Sequence, residues 1–142
     1  MTRFELVRYT VIRVHYEFVR QQASEKLFIV LRHERIANQD AVCWAIKPTS
    51  KTERFDADPE LMAGCVCYEA GCLWFFPKRT IVQPDNLIPI HHSHLASEAG
   101  RRRYKIEGKM PADFHGKLIA AIRASVVLEP KKVRLLLQYI GE

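Results

Sequence analysis

The sequence lacks long apolar runs. A membrane-spanning helix needs about 20 consecutive, mainly apolar residues, and no stretch of the 142 residues approaches that length. The first ten residues, MTRFELVRYT, are interspersed with charges and contain no apolar block of the kind found in secretory signals. These absences predict a cytoplasmic protein with no membrane partner. At this length the chain is expected to form one domain, residues 1–142.

The spacing of the cysteines does not suit a metal. The four cysteines are Cys43, Cys65, Cys67 and Cys72. Structural zinc sites usually contain C-x2–4-C pairs with matching partners, whereas the last three residues here follow C-x-C-x4-C. An even number of cysteines indicates disulfides only in an oxidising compartment. We therefore predict buried, reduced thiols, no metal site and no other cofactor.

Two further sets of side chains have both a functional and a structural interpretation. His91, His92 and His94 could form a metal or acid–base centre, but we expect them to lie in an exposed loop. The aromatic residues could stack on nucleic-acid bases, although aromatic residues on strands usually belong to the core. The residues in question are Trp44, Trp74, Phe75 and Phe76.

Positive charge is unevenly distributed along the chain. The net charge is +6. Residues 1–100 contain 12 Lys and Arg against 12 Asp and Glu, whereas residues 101–134 contain 10 against 3. This basic segment begins with Arg101, Arg102 and Arg103. Concentrated positive charge favours a polyanion such as nucleic acid, and the alternative interpretation is a solvated face that keeps the protein soluble.

Hydrophobic periodicity predicts strands first and a helix later. Alternating apolar residues, with a dense apolar run at 26–33, are separated by turn residues and predict strands over the first two-thirds of the chain and at 103–108. Residues 64–77 are expected to form a hairpin that reverses near Ala70 and Gly71, and residues 49–60 a polar loop. A stripe of Phe114, Leu118, Ile122 and Val126 predicts a helix, while residues 130–140 suit either a short helix or a last strand. The result is a mainly β fold, a small twisted barrel or sheet with a C-terminal helix packed on it.

Three stretches resemble the PemK/MazF-like proteins. They are KLFIVLRHERIANQDAVCWAIKPTSK, TIVQPDNLIPIHHSHL and GKMPADFHGKLIAAIRASVVL. The resemblance implies an SH3-like barrel and a homodimeric endoribonuclease toxin of a toxin–antitoxin system. Such a toxin is a hydrolase that cleaves single-stranded RNA without a metal and is blocked by an antitoxin protein. The family's catalytic threonine falls on Thr49, beside Ser50, and its catalytic arginine falls on Lys26, where Leu27 follows in place of proline.

The residues near these positions suit RNA cleavage chemically. Such cleavage requires a base for the 2′-hydroxyl, an acid for the leaving oxygen and donors for the charge that develops on the phosphate. Antiparallel pairing of strands 26–33 and 41–48 places Lys26 near Thr49, with Arg32 and His33 at the opposite end. The predicted catalytic residues are Lys26, Thr49 and Ser50. The predicted RNA contacts are Arg32, His33, Lys51, Arg101, Arg102 and Arg103.

Three alternatives to this enzyme remain open. Turn chemistry alone accounts for Pro48, Thr49 and Ser50, because these residue types commonly end strands. A relative that has lost the catalytic arginine would be a non-catalytic module that binds nucleic acid or protein, and Lys26 followed by Leu27 favours this reading. A gyrase poison similar to the CcdB-type toxins, which share the fold, is the third.

Overall fold

The computed structural model describes residues 4–18, 24–35 and 39–141, which form seven strands and five helices. The strands are β1 Thr10–Tyr16, β2 Ser24–Glu34, β3 Val42–Ile46, β4 Val66–Tyr68, β5 Thr80–Val82, β6 Leu87–His91 and β7 Tyr104–Lys109. The helices are α1 Glu53–Asp56, α2 Pro59–Ala63, α3 His92–Gly100, α4 Phe114–Ala124 and α5 Pro130–Tyr139. None of the helices in those ranges has the length and apolar character that crossing a bilayer requires.

The chain divides into two compact units, each made from two separate stretches. The sheet unit consists of Met1–Lys47 and Leu87–Met110. The helical unit consists of Pro48–Asn86 and Pro111–Glu142. Four of the five helices belong to the helical unit within the described ranges, and α3 belongs to the sheet unit.

The sheet unit is built on a five-stranded antiparallel sheet in the order β6-β3-β2-β1-β7. One face of this sheet packs with Leu95 of α3 in an apolar core. β2 carries the apolar run Phe28–Leu31, whose four side chains are all buried. Because successive side chains of a strand point to opposite faces, this run is typical of a strand that is buried on both sides, as β2 is.

A β-bulge in β2 changes which side chains face α3. Val30 pairs with Ala45, and the next paired residue, Arg32, lies opposite Trp44, so Leu31 is the extra residue. A bulge of this kind reverses the alternation beyond it. His33 therefore lies opposite Cys43, a member of the core on the α3 side.

The helical unit packs α4 against a two-stranded sheet. β4 and β5 pair antiparallel, and the ring of Tyr68 on β4 lies 6.5 Å from the ring of Phe114 on α4. The predicted apolar stripe of α4 is buried at Phe114, Leu118 and Ile122. Val126 lies beyond the end of the helix and is exposed.

Several sequence predictions are confirmed at the level of elements. Strands occur where the alternation predicted them in the sheet unit, and the C-terminal helix is present as α4. Residues 130–140, for which helix and strand both remained open, form helix α5. The helices contain nearly as many residues as the strands, so the fold is mixed α and β rather than mainly β.

Three predictions about local structure outside the histidine cluster are wrong in whole or in part. Only one strand, β4, forms within residues 64–77, and it pairs with β5. A turn stands where the second strand was predicted: Gly71 has φ 75°, and its N–H donates to the Phe76 carbonyl. The predicted loop at 49–60 contains α1 and α2, the latter begun by Asp58, whose side chain accepts the Leu61 N–H. The four cysteines were predicted to be buried thiols; all four are free, but Cys43 alone is buried, whereas Cys65 and Cys67 are half-buried and Cys72 is exposed.

Candidate functional site

The predicted catalytic residues lie in different units. Lys26 lies in β2 of the sheet unit, opposite Val14 of β1. The expected antiparallel pairing of β2 with β3 is present, and its ladder ends at Ile29 opposite Ile46. Thr49 follows in the helical unit, where its backbone exchanges hydrogen bonds of 3.0 and 2.8 Å with Ile81.

Thr49, Ser50 and Lys51 form a side-chain-stabilised turn. The Lys51 backbone N–H donates to Thr49 Oγ1 over 3.1 Å, which is the geometry of a hydroxyl that stabilises a turn two residues on. Thr49 is half-buried, whereas Ser50 and Lys51 are exposed. A hydroxyl that accepts one hydrogen bond still has its own hydrogen to donate. The turn thus explains the conformation of this stretch and leaves hydroxyls that can reach a ligand.

The three consecutive arginines lie at the end of α3. Arg101 is the C-cap, and Arg102 has φ 57°, the left-handed backbone that ends the helix. Both side chains are exposed. The guanidinium of Arg103 is paired with the buried carboxylate of Glu98, with Nε 2.8 Å from Oε2. Arg101 and Arg102 therefore present charge to solvent, while the charge of Arg103 is compensated by Glu98.

The bulge separates Arg32 from His33. Arg32 is exposed on the side of the sheet that carries Trp44. His33 faces α3, where its Nδ1 lies 2.8 Å from Nε2 of His92, and its Nε2 accepts the Leu6 N–H over 2.8 Å. The structure therefore does not bring these two predicted RNA contacts together, and both ring nitrogens of His33 are engaged within the sheet unit.

The histidine cluster 91–94 is not an exposed loop, contrary to prediction. His92 is the first residue of α3 and is buried, and Nε2 of His94 donates to the His15 carbonyl over 2.8 Å. No local pattern marks His33 and His92 as partners, because their contact depends on the bulge and on residues 59 positions apart. Within the described ranges, no group of three or more His, Cys, Asp or Glu side chains is arranged to hold a metal ion.

The positive charge belongs to one unit. The sheet unit contains 13 Lys and Arg against 7 Asp and Glu, whereas the helical unit contains 9 against 9. The basic segment 101–134 is split, because the chain passes between units at Pro111. The whole net charge of +6 therefore lies in the sheet unit, and the helical unit is neutral.

Comparison with known proteins does not assign the chain to a family. No protein-family model matches the chain, and no curated protein sequence matches it significantly.

Proposed function

We propose that the protein binds single-stranded RNA through its sheet unit and cleaves it as a metal-independent endoribonuclease. The observation that carries the proposal is the confinement of the net charge of +6 to the sheet unit. Lys and Arg that neutralise phosphates release condensed counterions, which makes a positively charged surface favourable for nucleic acid. Arg101 and Arg102 are exposed at one end of α3, and Lys105 and Lys109 are exposed on the edge strand β7.

The chemistry of cleavage would come from the turn that follows β3. RNA carries its own nucleophile, the 2′-hydroxyl, so the protein must supply proton transfer and donors to the phosphate oxygens. The hydroxyls of Thr49 and Ser50 supply donors, and the exposed Lys51 supplies charge. Lys26 occupies the position of the arginine in the resemblance to PemK/MazF-like toxins, and lysine presents a point charge in place of a planar, bidentate group.

The same resemblance supports four further parts of the proposal. The sheet unit would be an SH3-like barrel, and the active protein would be a homodimer. An antitoxin protein would block the RNA surface, and the pair would operate in the cytoplasm. The antiparallel sheet followed by a helix is the feature of this chain that agrees with such a fold.

The test is cleavage of long single-stranded RNA in the presence of EDTA by the wild type, Thr49→Ala and Thr49→Ser. The Ala variant should lose at least about 100-fold in rate, as expected for removal of a donor to the developing charge. The Ser variant keeps the hydroxyl and should stay within about tenfold of the wild type. Fragments with 2′,3′-cyclic phosphate ends, and none from 2′-O-methyl RNA, would identify attack by the 2′-hydroxyl.

Thr52→Ala is the matched control. Thr52 lies three residues away and makes no side-chain capping bond to α1, so its loss should leave the rate unchanged. Equal cleavage by all variants would mean that Thr49 has no catalytic role, and would point to a contaminating nuclease if the rate also varied between preparations.

A non-catalytic RNA-binding module is the second candidate. Two observations favour it: Thr49 Oγ1 already accepts the Lys51 N–H, and Lys26 stands where the family has arginine. RNA that is bound but remains intact with the wild type would establish this alternative and overturn the endoribonuclease. Cleavage that appears on Lys26→Arg would show that the arginine is the missing element.

A further inference from the structure

His33 joins three parts of the sheet unit by hydrogen bonds. The N-terminal stretch 4–8 reaches it through the Leu6 N–H, which donates to His33 Nε2 over 2.8 Å. Helix α3 reaches it through His92, whose Nε2 lies 2.8 Å from His33 Nδ1. His33 itself lies in β2, just beyond the bulge. One imidazole therefore connects the N-terminal stretch, the sheet and the start of α3.

The positions of the protons follow from these contacts. A backbone N–H can only donate, so His33 Nε2 must be an unprotonated acceptor. A neutral His33 then carries its hydrogen on Nδ1 and donates it to His92 Nε2, which must also be unprotonated. A proton added to either Nε2 would place two donors face to face and break one of the bonds. Only the doubly neutral pair satisfies the whole arrangement.

The surroundings reinforce the neutral state. Burial lowers the pKa of His33, and the nearby His92 lowers it further, whereas the backbone of Leu6 and the Glu5 carboxylate raise it in part; the pKa is lowered overall. Burial also lowers the pKa of His92, and Arg35 lowers it further, whereas the carboxylates of Asp40 and Glu5 raise it in part. The titratable and charged groups around the pair are Glu5 of the N-terminal stretch, Glu34 and Arg35 at the end of β2, Asp40 before β3, and His91 and His94 flanking His92.

A proton can reach the pair from solvent. His33 lines a cavity of about 390 Å³ that opens to the surface of the sheet unit. The lining includes Glu5 and Leu6 from the N-terminal stretch and Arg35 and Ala41 from the sheet side. The cavity therefore lies between the parts that the Leu6–His33 bond connects.

We propose that His33 and His92 form a proton-sensitive lock, which holds the stretch 4–8 on the sheet at neutral pH and loosens it in mild acid. The stretch also carries the ion pair of Glu5 with Arg35 over 3.4 Å, and two of its other contacts contain no group that titrates in this range. Phe4 is buried against Tyr104, and Arg8 Nε donates to the Leu31 carbonyl over 3.1 Å. Loosening thus means more frequent local opening at Leu6, while the sheet remains folded.

Amide hydrogen exchange on the full-length wild type tests the lock. After correction for intrinsic exchange rates, the protection of the Leu6 amide should fall by at least about tenfold from pH 7.5 to pH 5.0, because the open state binds protons that the closed state excludes. The protection of Val30 and Ala45 in the core strands should change much less. Equal protection of Leu6 at the two pH values would overturn the proposal.

Variants separate the lock from a general effect of acid. Glutamine at both positions (His33→Gln with His92→Gln) can still accept from Leu6 and donate across the pair but cannot titrate, so the loss of Leu6 protection should disappear. His91→Gln is the control, because His91 is an exposed neighbour outside the hydrogen-bond chain, and the loss should persist. A double variant that keeps the acid response would overturn the proposal.

The wild type also permits a direct check that needs no variant. Nitrogen NMR at pH 7.5 should show His33 protonated on Nδ1 and unprotonated on Nε2. The opposite tautomer would contradict the lock, since it could not accept the Leu6 N–H.

Discussion

The sheet unit contains two buried carboxylates, and each is paired with an arginine that stabilises it. Glu107 is 8% exposed, and its Oε1 accepts from Arg13 Nε over 2.9 Å. Glu98 is similarly buried beside Arg103. A carboxylate held out of water is stable only while it is paired. These arginines therefore have a structural role and contribute less free charge to any ligand than the exposed Arg101 and Arg102.

Removal of one partner should expose this dependence. Arg13→Met keeps most of the aliphatic stem but leaves the buried Glu107 carboxylate with only Lys105, whose Nζ is 3.9 Å away. We expect a loss of about 1–3 kcal/mol in the free energy of unfolding, measured by urea denaturation. Adding Glu107→Gln to that variant should recover part of the loss, because the uncompensated charge is gone. A single variant as stable as the wild type would show that Arg13 does not stabilise Glu107.

At the scale of elements, predictability follows the strength of the local pattern. β1, β2 and β3 are rich in branched and aromatic residues, and their positions were predicted from the alternation of β1 and β3 and from the apolar run of β2. α1 and α2 are four and five residues long, too short for an apolar period to develop. α3 places Leu95 in the apolar core and packs Ala99 against it, so its sequence carries only a short apolar stripe.

The candidate site was less predictable than the strands for a related reason. The residue types at 48–50 indicated a turn, and the hydrogen bond between Thr49 and Lys51 is local to it. The histidine pair depends on the bulge at Leu31, which shifts β2 by one residue and moves His33 to the α3 side. Nothing in the apolar run of residues 26–33 indicates an extra residue there. Long-range contacts that depend on such a shift require the structure.

The close approach of Gly64 to the backbone of Ser125 gives a second prediction. A Cβ on Gly64, at the end of α2, would lie 2.8 Å from the Ser125 Cα. Because that neighbour is backbone, Gly64→Ala should cost about 1–3 kcal/mol of unfolding free energy. Gly116→Ala is the matched control: Gly116 lies on the exposed face of α4, and a Cβ there would meet no atom within 4 Å outside the backbone of its own helix. This change should stabilise by about 0.5–1 kcal/mol. Thermal unfolding of both variants would settle the comparison, and an unaffected Gly64→Ala would show that α2 and Ser125 can separate freely.

At the scale of the whole molecule, the uneven distribution of charge predicts that the two units contribute unequally to the affinity for nucleic acid. The helical unit contains exposed lysines on α5, yet its total charge is zero. The sheet unit carries the full excess. If long-range electrostatics govern RNA binding, an exposed Lys or Arg of the sheet unit should contribute more to the affinity for RNA than an equally exposed one of the helical unit.

Paired charge reversals test this directly. Arg101→Glu with Arg102→Glu changes the sheet unit, and Lys131→Glu with Lys132→Glu makes the same change in charge on the helical unit; all four side chains are exposed. The first pair should weaken binding of single-stranded RNA by about tenfold or more and reduce the dependence of log K on log salt by about 1–2. The second pair should have a small effect. Fluorescence anisotropy over a salt series measures both quantities, and equal losses would contradict a sheet-unit interface.

The division of each unit into two stretches has a consequence for synthesis. The chain leaves the sheet unit after Lys47, returns at Leu87 and leaves again after Met110. While a ribosome is still making residues 48–86, β3 lacks its partner β6, and β1 lacks β7. The helical unit in turn has β4 and β5 but must wait for α4. Each unit thus spends part of translation with open edges or uncovered apolar side chains. Cutting the gene after Asn86 would yield two fragments of which neither holds a complete unit, whereas a cut after Lys47 or after Met110 would leave one unit whole.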